Sequence, residues 1–389
     1  MANGSSSPPG TSDIGSDVSA RGIRAAAEPS RPAARRAGAS GGPRPDSRLA
    51  TMARNRSALI VLAALAAAAI LPETGQGNYV MSIAVQIEIL MCLVLGLNFV
   101  VGYAGMLDLG FAAFFAIGAY MTGLLSVDLH WPILATIPPA IGAALLGAVF
   151  VGLPTLRLRS DYLAVVTLGF GEIIQEVVTN LNQTGGPEGI SGIPPLRIGG
   201  LVVTTNDGYY NVFLVLVLVF VAVSFRVRHS RLGRAWLAIR EDEDTAQAMG
   251  IKVRRFKLYA YMAGSVFGSI TGSLYGSAFI AIAPPSFGFN ESLLVVMAVS
   301  IGGIGSIWGG LLGAGIVVAF PEVFRQFAQA RLLVFGVVLV LIMVLRPQGV
   351  WPESGLGLDR AARFVARFPG RRGEAIAARR RAAGVERTP

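Results

Sequence analysis

The chain contains repeated apolar runs that approach the length of a membrane crossing. A helix needs about 20 apolar residues to span a hydrocarbon core of about 30 Å. Clear runs lie at 80–101, 109–127, 132–153, 161–180, 209–225, 258–282 and 331–346, and a shorter one lies at 58–71. Hydrophobic residues make up 53% of the chain and charged residues only 14%, whereas soluble domains carry about 25% charged residues. The sequence therefore predicts an all-α polytopic membrane protein.

One further apolar stretch, 292–320, is interrupted by glycine. The interrupting residues are Gly302, Gly303, Gly305, Gly309, Gly310, Gly313 and Gly315. They divide the stretch into two short halves that either cross the membrane twice or form a re-entrant pair. The fold prediction is therefore about ten transmembrane helices, or about eight plus a re-entrant pair.

The positions of Lys and Arg decide the orientation, because these residues mark cytoplasmic segments. They fall before residue 58, at 157 and 159, within 226–257 and after 346. The predicted outer segments at 72–79, 128–131, 181–207 and 283–290 hold only Arg197. Two crossings or a re-entrant pair at 292–320 keep the C-terminal tail inside, although Arg325 and Arg331 then fall on the outer side.

The net charge of +10 comes from the two ends of the chain. Residues 1–57 and 347–389 each hold nine Arg and four acidic residues, so each end carries +5. The body at 58–346 is neutral, which removes the main argument for nucleic-acid binding. We expect a disordered basic N-terminal tail, a permease domain at 58–346 and a basic cytoplasmic C-terminal tail, with the tails held by membrane lipid. A start at Met52 would leave residues 1–51 outside the chain, and the run that follows Met52 could also be a signal peptide.

Motifs for catalysis and nucleotide binding are missing from the sequence. Lysine occurs only at Lys252 and Lys257, neither in a phosphate-binding loop, so the chain is not expected to hydrolyse ATP. One Cys and two His cannot form a disulfide framework or a Cys/His metal cluster. We expect no enzyme activity, cofactor or metal in this chain. The glycine run from Gly302 faintly resembles a dinucleotide fingerprint, but its apolar membrane setting favours close helix packing.

The segment 226–257 predicts a short amphipathic helix on the cytoplasmic side. Ala235, Ala238, Ile239, Ala246 and Met249 fall on one helical face, and Gly250 follows where a C-terminal cap would lie. The small side chains would let a partner approach the backbone closely. The alternative is a solvated loop whose basic residues simply follow the positive-inside rule.

Five motifs in the chain resemble one family of transport proteins. They are GYAGMLDLGFAAFFAIGAY from Gly102, RLRSDYLAVVTLGFGEIIQ from Arg157, TGGPEGISGIP from Thr184, LGRAWLAIREDEDTAQAMGI from Leu232 and GGIGSIWGGLLGA from Gly302. The sequence is similar to LivM-type permeases of branched-chain amino acid ABC importers. Asp108 departs from the small hydroxyl or polar residue usual in that family, which bears on the substrate range. Relatives in the family also serve urea or short amides.

The resemblance implies a set of partners for a multi-pass protein of the plasma (cell inner) membrane. They are a second, homologous permease, two ATP-binding subunits that hydrolyse ATP, and a periplasmic or extracellular substrate-binding protein. In such importers a cytoplasmic helix with an Ala/Gly-rich signature docks on the ATPase. The matching stretch here runs from Asp244 to Gly250. The predicted coupling residues are Gly233, Arg240, Glu241, Asp244, Ala246, Ala248 and Gly250.

Carboxylates and glycines within the spans are candidates for the translocation path. Acidic residues inside membrane spans usually face a pathway or a partner, and Glu88 and Glu172 either bond between helices or line the path, whereas Glu176 is expected near the outer surface. An alternative function is a proton-coupled secondary transporter that uses one of these three residues as its proton site. Two glycine triplets with identical spacing, Gly102, Gly105, Gly110 and Gly302, Gly305, Gly310, complete the candidate set. They indicate either tight helix packing or an inverted repeat whose broken helices meet near the membrane midplane.

Overall fold

A computed structural model of the chain describes residues 78–155 and 160–323, together with residues 336, 340 and 349–351. The predicted span at 58–71 and the predicted N-terminal tail lie outside the described residues. So do nearly all of the predicted span at 331–346 and of the predicted C-terminal tail. The domain boundaries at residues 57 and 346 therefore stay predictions.

The described residues are mostly helical. The α-helices are α1 (Asn78–Leu97), α2 (Ala112–Val127), α3 (Ile133–Thr155), α4 (Ser160–Asn180), α5 (Asn206–Arg228), α6 (Arg231–Glu241), α7 (Glu243–Ala248), α8 (Val253–Phe279), α9 (Phe289–Gly302) and α10 (Ile307–Val323). A π-helix at Asn98–Tyr103 continues α1. Short 3₁₀-helices lie at Asn182–Thr184, Gly186–Glu188 and Pro284–Phe287.

The predicted spans within the described residues are helices. Five stretches are long and apolar enough to cross a membrane: Asn78–Tyr103, Ile133–Leu153, Tyr162–Asn180, Asn206–Arg228 and Pro284–Gly302. Two shorter apolar helices lie at Ala112–Val127 and Ile307–Glu322. The helical, polytopic fold is confirmed in this part of the chain, whereas the count of about ten crossings and the inverted repeat stay predictions.

The outer loops add two small antiparallel ribbons that the all-α prediction left out. Strand β1 (Ile190–Ser191) pairs with β4 (Ala281–Ile282), and β2 (Arg197–Ile198) pairs with β3 (Leu201–Val202). The first ribbon joins the segment after α4 to the end of α8. It fixes the two outer loops to each other.

The glycine-rich stretch 292–320 is divided in two, as predicted. Helix α9 ends at Gly302, and α10 begins at Ile307. The two helices pack closely because a Cβ on Gly302 would meet the backbone of Gly309, and one on Gly313 would meet the carbonyl of Ala298. This register makes α9 and α10 an antiparallel pair in contact through glycine.

Helix α8 lies at the centre of the core and carries glycine at every fourth position. Its glycine ridge consists of Gly264, Gly268, Gly272 and Gly276. A Cβ on Gly264 would lie 3.0 Å from the Gly96 carbonyl oxygen of α1, and one on Gly272 would meet the Phe115 carbonyl of α2. Small residues at this spacing let helix backbones approach in a membrane. Sequence analysis did not single out this ridge, although its four-residue repeat is visible in the sequence.

Candidate functional site

The cytoplasmic segment forms two helices, so the single helix predicted to end at Gly250 is wrong. Helix α6 ends at Glu241, and the extended backbone of Asp242 separates it from α7. The Asp242 carboxylate accepts a 2.7 Å hydrogen bond from the backbone N–H of Thr245. This bond is an N-terminal cap that starts a new helix. It lowers the pKa of Asp242 below its ordinary value, because the backbone N–H of Thr245 stabilises the charged form.

Most of the apolar face of this segment packs against the chain itself. The ring of Trp236 is buried, and its Nε1 donates a 2.7 Å hydrogen bond to the Phe256 carbonyl at the start of α8. Ile239, Ala246 and Val253 form a small buried cluster. Ala246 is therefore covered by its own chain, and its role in docking stays a prediction.

The far end of α7 is open. Ala248, Met249 and Gly250 are exposed, and Met249 is 80% exposed. Gly250 has a φ of +86°, and the backbone N–H of Ile251 donates a 3.1 Å hydrogen bond to the Ala246 carbonyl. This geometry is a Schellman motif, so the predicted glycine cap is confirmed. Of the other predicted coupling residues, Asp244 and Glu241 are exposed, whereas Gly233 is buried against the carbonyls of residues 227 and 228.

Arg240 connects the cytoplasmic helices to the membrane domain. Its Nη1 donates a 2.6 Å hydrogen bond to the Gly102 carbonyl at the end of the π-helix. The stem of Arg240 also covers Gly105, where an added Cβ would lie 2.9 Å from the arginine Cγ. On the other side of the segment, Lys257 at the start of α8 forms a 2.5 Å ion pair with Glu243 of α7. Both cytoplasmic helices are thus tied to the membrane-spanning helices.

The two predicted glycine clusters meet. A Cβ on Gly102 would lie 3.0 Å from the Cα of Gly305, and the backbone N–H of Gly305 donates a 3.0 Å hydrogen bond to Oδ1 of Asn98. Gly105 and Gly305 have φ values of +70° and +86°, so each lies in a tight turn that favours glycine. The junction of Asn98, Gly102 and Gly305, here called the glycine junction, lies beside α6, at the ends of α1 and α9. The inverted repeat and its meeting point near the membrane midplane stay predictions.

The third glycine of each triplet packs elsewhere. A Cβ on Gly110 would meet the Thr167 carbonyl of α4, and one on Gly310 would lie 2.8 Å from Cγ1 of Val94 in α1. The backbone N–H of Gly110 donates a 2.9 Å hydrogen bond to the buried carboxylate of Asp108. These positions support the packing interpretation for Gly110 and Gly310.

The π-helix and the segment after it were missed by sequence analysis. A π-helix widens the helical turn, and such turns are frequent at functional sites. Here Asn98–Tyr103 is fully buried and supplies both Asn98 and Gly102 to the glycine junction. Residues near the C-terminal end of the described chain contact the end of α9. The backbone N–H groups of Val350 and Trp351 donate hydrogen bonds to the carbonyls of Ile301 and Gly302.

The three candidate carboxylates lie in different surroundings. Glu88 is 4% exposed, and neither of its carboxyl oxygens has a hydrogen-bond partner among the described residues. Glu172 is exposed on the surface of α4, and Glu176 accepts a 2.6 Å hydrogen bond from Asn180 near the end of that helix. Glu172 follows Gly171, which packs against Gly110 of the first glycine triplet, since a Cβ on Gly171 would lie 3.4 Å from the Cα of Gly110. The described residues hold no group of three metal-ligating side chains.

A cavity of about 430 Å³ opens on the outer side, between the α2–α3 loop and the segment that carries the first strands. Its lining includes His130, Trp131, Pro194 and Arg197. Arg197 is the single basic residue of the predicted outer segments, and His130 has a φ of +55°. Sequence analysis noted Arg197 only as a topology marker.

Comparison with known proteins gives the family. Residues 79–345 match the family described as the permease component of branched-chain amino acid transport systems. The high-affinity branched-chain amino acid transport system permease protein LivM of Escherichia coli K12 is 38% identical over 296 residues, 70% of each chain. A probable LivM permease of Methanocaldococcus jannaschii is 29% identical over 240 residues, 57% of this chain and 68% of the relative.

A second type of permease is more distantly similar. The LivH permease protein of Escherichia coli K12 is 24% identical over 281 residues, 66% of this chain and 89% of the relative. No solved structure shows a significant match to the chain. The chain therefore belongs to the permease family of branched-chain amino acid transport systems and is a multi-pass protein of the plasma membrane.

Proposed function

We propose that this permease forms half of the pore of an ABC importer for branched-chain or related neutral amino acids. A second, homologous permease supplies the other half, and two separate ATP-binding subunits supply the energy. A binding protein on the outer side delivers the solute. The chain itself needs no cofactor for this role, since ATP is bound and hydrolysed on the partner subunits.

One observation carries the proposal: the cytoplasmic helices present an exposed end after α7 and are bonded to the membrane domain near the junction of α6 and α7. Met249 and Gly250 are open to a partner, while Arg240 bonds to Gly102 at 2.6 Å. A subunit that docks on the end of α7 can therefore move α6 and α7 as one body. A solvated loop would need neither the buried Trp236 nor the capped helix ends.

The glycine junction gives this movement a place to act. Gly102 belongs to α1 and its π-helix, and Gly305 belongs to the turn between α9 and α10, so a displacement of Arg240 reaches both elements. The turn after the π-helix and the turn between α9 and α10 contain exposed or glycine-only backbone. In a membrane protein such backbone lies against protein or lines a cavity. In this proposal the glycine junction is the cytoplasmic end of the translocation path and opens when the ATPases change state.

The direct test is transport in reconstituted vesicles. The chain is purified with its candidate second permease, ATPases and binding protein and is reconstituted with the ATPases facing the vesicle interior. Uptake of labelled leucine is then measured with and without ATP inside the vesicles. We expect uptake only when all subunits and ATP are present. Uptake by this chain alone, driven by a proton gradient and abolished by an ionophore, would contradict the proposal.

Glu88 favours a second candidate function, a proton-coupled secondary transporter of a small polar solute. A buried carboxyl group without a hydrogen-bond partner among the described residues is a suitable proton site. The two functions differ in their response to Glu88→Gln. An ATP-driven importer keeps its dependence on ATP in this variant, whereas a proton-coupled transporter loses accumulation of solute against a gradient.

A further inference from the structure

Three helices of the membrane domain expose apolar side chains on the surface of the chain. Helix α3 exposes Leu146, Phe150 and Leu153, and α5 exposes Val215, Leu218, Val219 and Val223. The exposed surfaces of α3 and α5 carry only apolar side chains along these stretches, which suits contact with lipid. Helix α4 exposes Tyr162, Val165, Val166, Ile173 and Val177, but its surface also contains a carboxylate.

Glu172 lies in the middle of the exposed face of α4. The exposed positions 162, 165, 166, 172, 173, 176 and 177 recur at helical spacing, so Glu172 shares one face with the apolar side chains. It lies eight residues before Asn180 at the outer end of α4, a depth of about 12 Å at 1.5 Å per residue. Lipid at this depth cannot solvate a carboxylate, so residues of this kind face protein or water.

The same face contains a notch. Gly169 lies one turn before Glu172 and Ile173, and a Cβ added there would have no neighbour within 4 Å. A missing side chain on an exposed helix face lets the backbone of another helix approach. The face of α4, defined here by Val165, Gly169, Glu172 and Ile173, thus combines an unsolvated charge with room for a neighbouring helix.

We propose that the α4 face is the contact with the second permease subunit and that Glu172 lines the solute path between the two subunits. The inference rests on the proposed importer function and adds the interface and a binding residue to it. Lipid does not fit as the occupant because it leaves the carboxylate unpaired. Since amino acids carry an α-ammonium group, the Glu172 carboxylate provides the opposite charge for the solute at the centre of the path.

Cross-linking tests the interface independently of transport. The single native cysteine, Cys92, is fully buried, so a Cys92→Ala background leaves the surface free of thiols. Val165→Cys and Ile173→Cys on α4 are paired with single cysteines along the apolar helices of the second permease in membranes. Leu146→Cys and Phe150→Cys on α3 are the matched controls, because both control side chains are also highly exposed.

We expect disulfide-linked heterodimers from the α4 positions and none from the α3 positions. Heterodimers from α3 with none from α4 would overturn the interface. This experiment needs only assembled permeases, so its failure is distinct from a failure of ATP-driven uptake, which the vesicle assay measures separately.

Access and affinity test the role of Glu172 in the path. Glu172→Cys should react with a membrane-impermeant charged thiosulfonate, and leucine delivered by the binding protein should slow the reaction, whereas Phe150→Cys should not react. Glu172→Gln should raise the KM for leucine about tenfold or more at unchanged assembly, because each factor of ten corresponds to about 1.4 kcal/mol. Glu176→Gln, one turn further along α4, should leave the KM unchanged. An unreactive Glu172→Cys together with a normal KM for Glu172→Gln would remove Glu172 from the path.

Discussion

The side chain of Arg240 joins the cytoplasmic helix α6 to the carbonyl of Gly102 with a hydrogen bond of 2.6 Å. Gly102 lies in turn against Gly305, so Arg240 is linked through Gly102 to the turn between α9 and α10. The bond involves a charged donor, and such bonds contribute about 1.5–3 kcal/mol. In the proposed importer, Arg240 is therefore the residue that transmits movement between the ATPase side and the membrane helices.

Removal of this bond should uncouple the importer. We expect Arg240→Ala to lower leucine uptake about tenfold or more while the complex still assembles and hydrolyses ATP, because a loss of about 1.4 kcal/mol in coupling corresponds to a factor of ten. Uptake and ATPase activity are measured on the same vesicles. Arg240→Lys keeps the positive charge but lacks the planar guanidinium group, so leucine uptake should fall between that of Arg240→Ala and that of the wild type.

The matched control is Arg234→Ala on the same helix. The Nη1 of Arg234 donates a 3.1 Å hydrogen bond to the His229 carbonyl within the same cytoplasmic segment. Its loss should leave uptake close to that of the wild type. Equal losses for Arg234→Ala and Arg240→Ala would show that positive charge on α6 matters and the bond to Gly102 does not.

The exposed end of α7 should hold the ATPase. Met249→Asp places a charge at a position that is 80% exposed, so the permease should still fold, but an apolar contact with a partner would be lost. We expect the ATPase to be absent or strongly reduced when the permease is purified. Leu129→Asp is the control, since Leu129 is 58% exposed in an outer loop. Normal copurification of the ATPase with Met249→Asp would reject docking at this end.

Ala246→Asp would not test a contact with the ATPase. Ala246 packs with Ile239 and Val253 inside its own chain, so a carboxylate there disturbs the fold of the cytoplasmic segment before any contact with a partner. The helical periodicity from Ala235 to Met249 placed Ala246 on the correct face. It could not tell whether that face meets the chain itself or another subunit.

The membrane helices were predictable because each needs a long run of consecutive apolar residues, which is visible directly in the sequence. Helix α3, for example, spans Ile133–Thr155 where the sequence predicted 132–153. The division at Gly302 was predictable for the same reason, since glycine interrupts the run. The π-helix at Asn98–Tyr103 was not, because its composition is that of an ordinary apolar helix and its geometry depends on tertiary contacts.

The break at Asp242 left a signal that sequence analysis did not use. Asp242 is followed by Glu243 and Asp244, and an acidic first turn after an Asp is typical of a helix start. The junction of Gly102 with Gly305 had a weaker signal, the identical spacing of the two glycine triplets. That spacing could not show that Gly102 of the first triplet lies against Gly305 of the second.

Glycine should be required in the turns but not along the free helix surface. Gly305 has a φ of +86°, and a side chain in this conformation costs about 1–2 kcal/mol, so Gly305→Ala should lower the thermal stability of the permease and its uptake. The control is Gly315→Ala in α10, where an added Cβ has no neighbour within 4 Å. The check is the melting temperature in detergent together with uptake in vesicles. Equal stability of the two variants would contradict a strained turn at Gly305.

The cap at Asp242 should make the stability of α7 depend on pH in the acidic range. The pKa of Asp242 is lowered in the folded chain because its carboxylate accepts the Thr245 N–H, so the charged form stabilises the helix. That contribution is fully present above the ordinary pKa of 3.8 and is lost as the pH falls through the lower value of the folded chain.

Hydrogen exchange of the amides in 243–250 measures the opening of α7. Asp242→Asn, which keeps a capping side chain, corrects for the intrinsic pH dependence of exchange. We expect Asp242→Ala to speed exchange at neutral pH, and the advantage of the wild type over Asp242→Asn to shrink as the pH falls below the ordinary pKa. Glu241→Gln, an exposed neighbour outside the cap, should show no such change, and an advantage of the wild type that persists at low pH would contradict a cap that depends on the charge of Asp242.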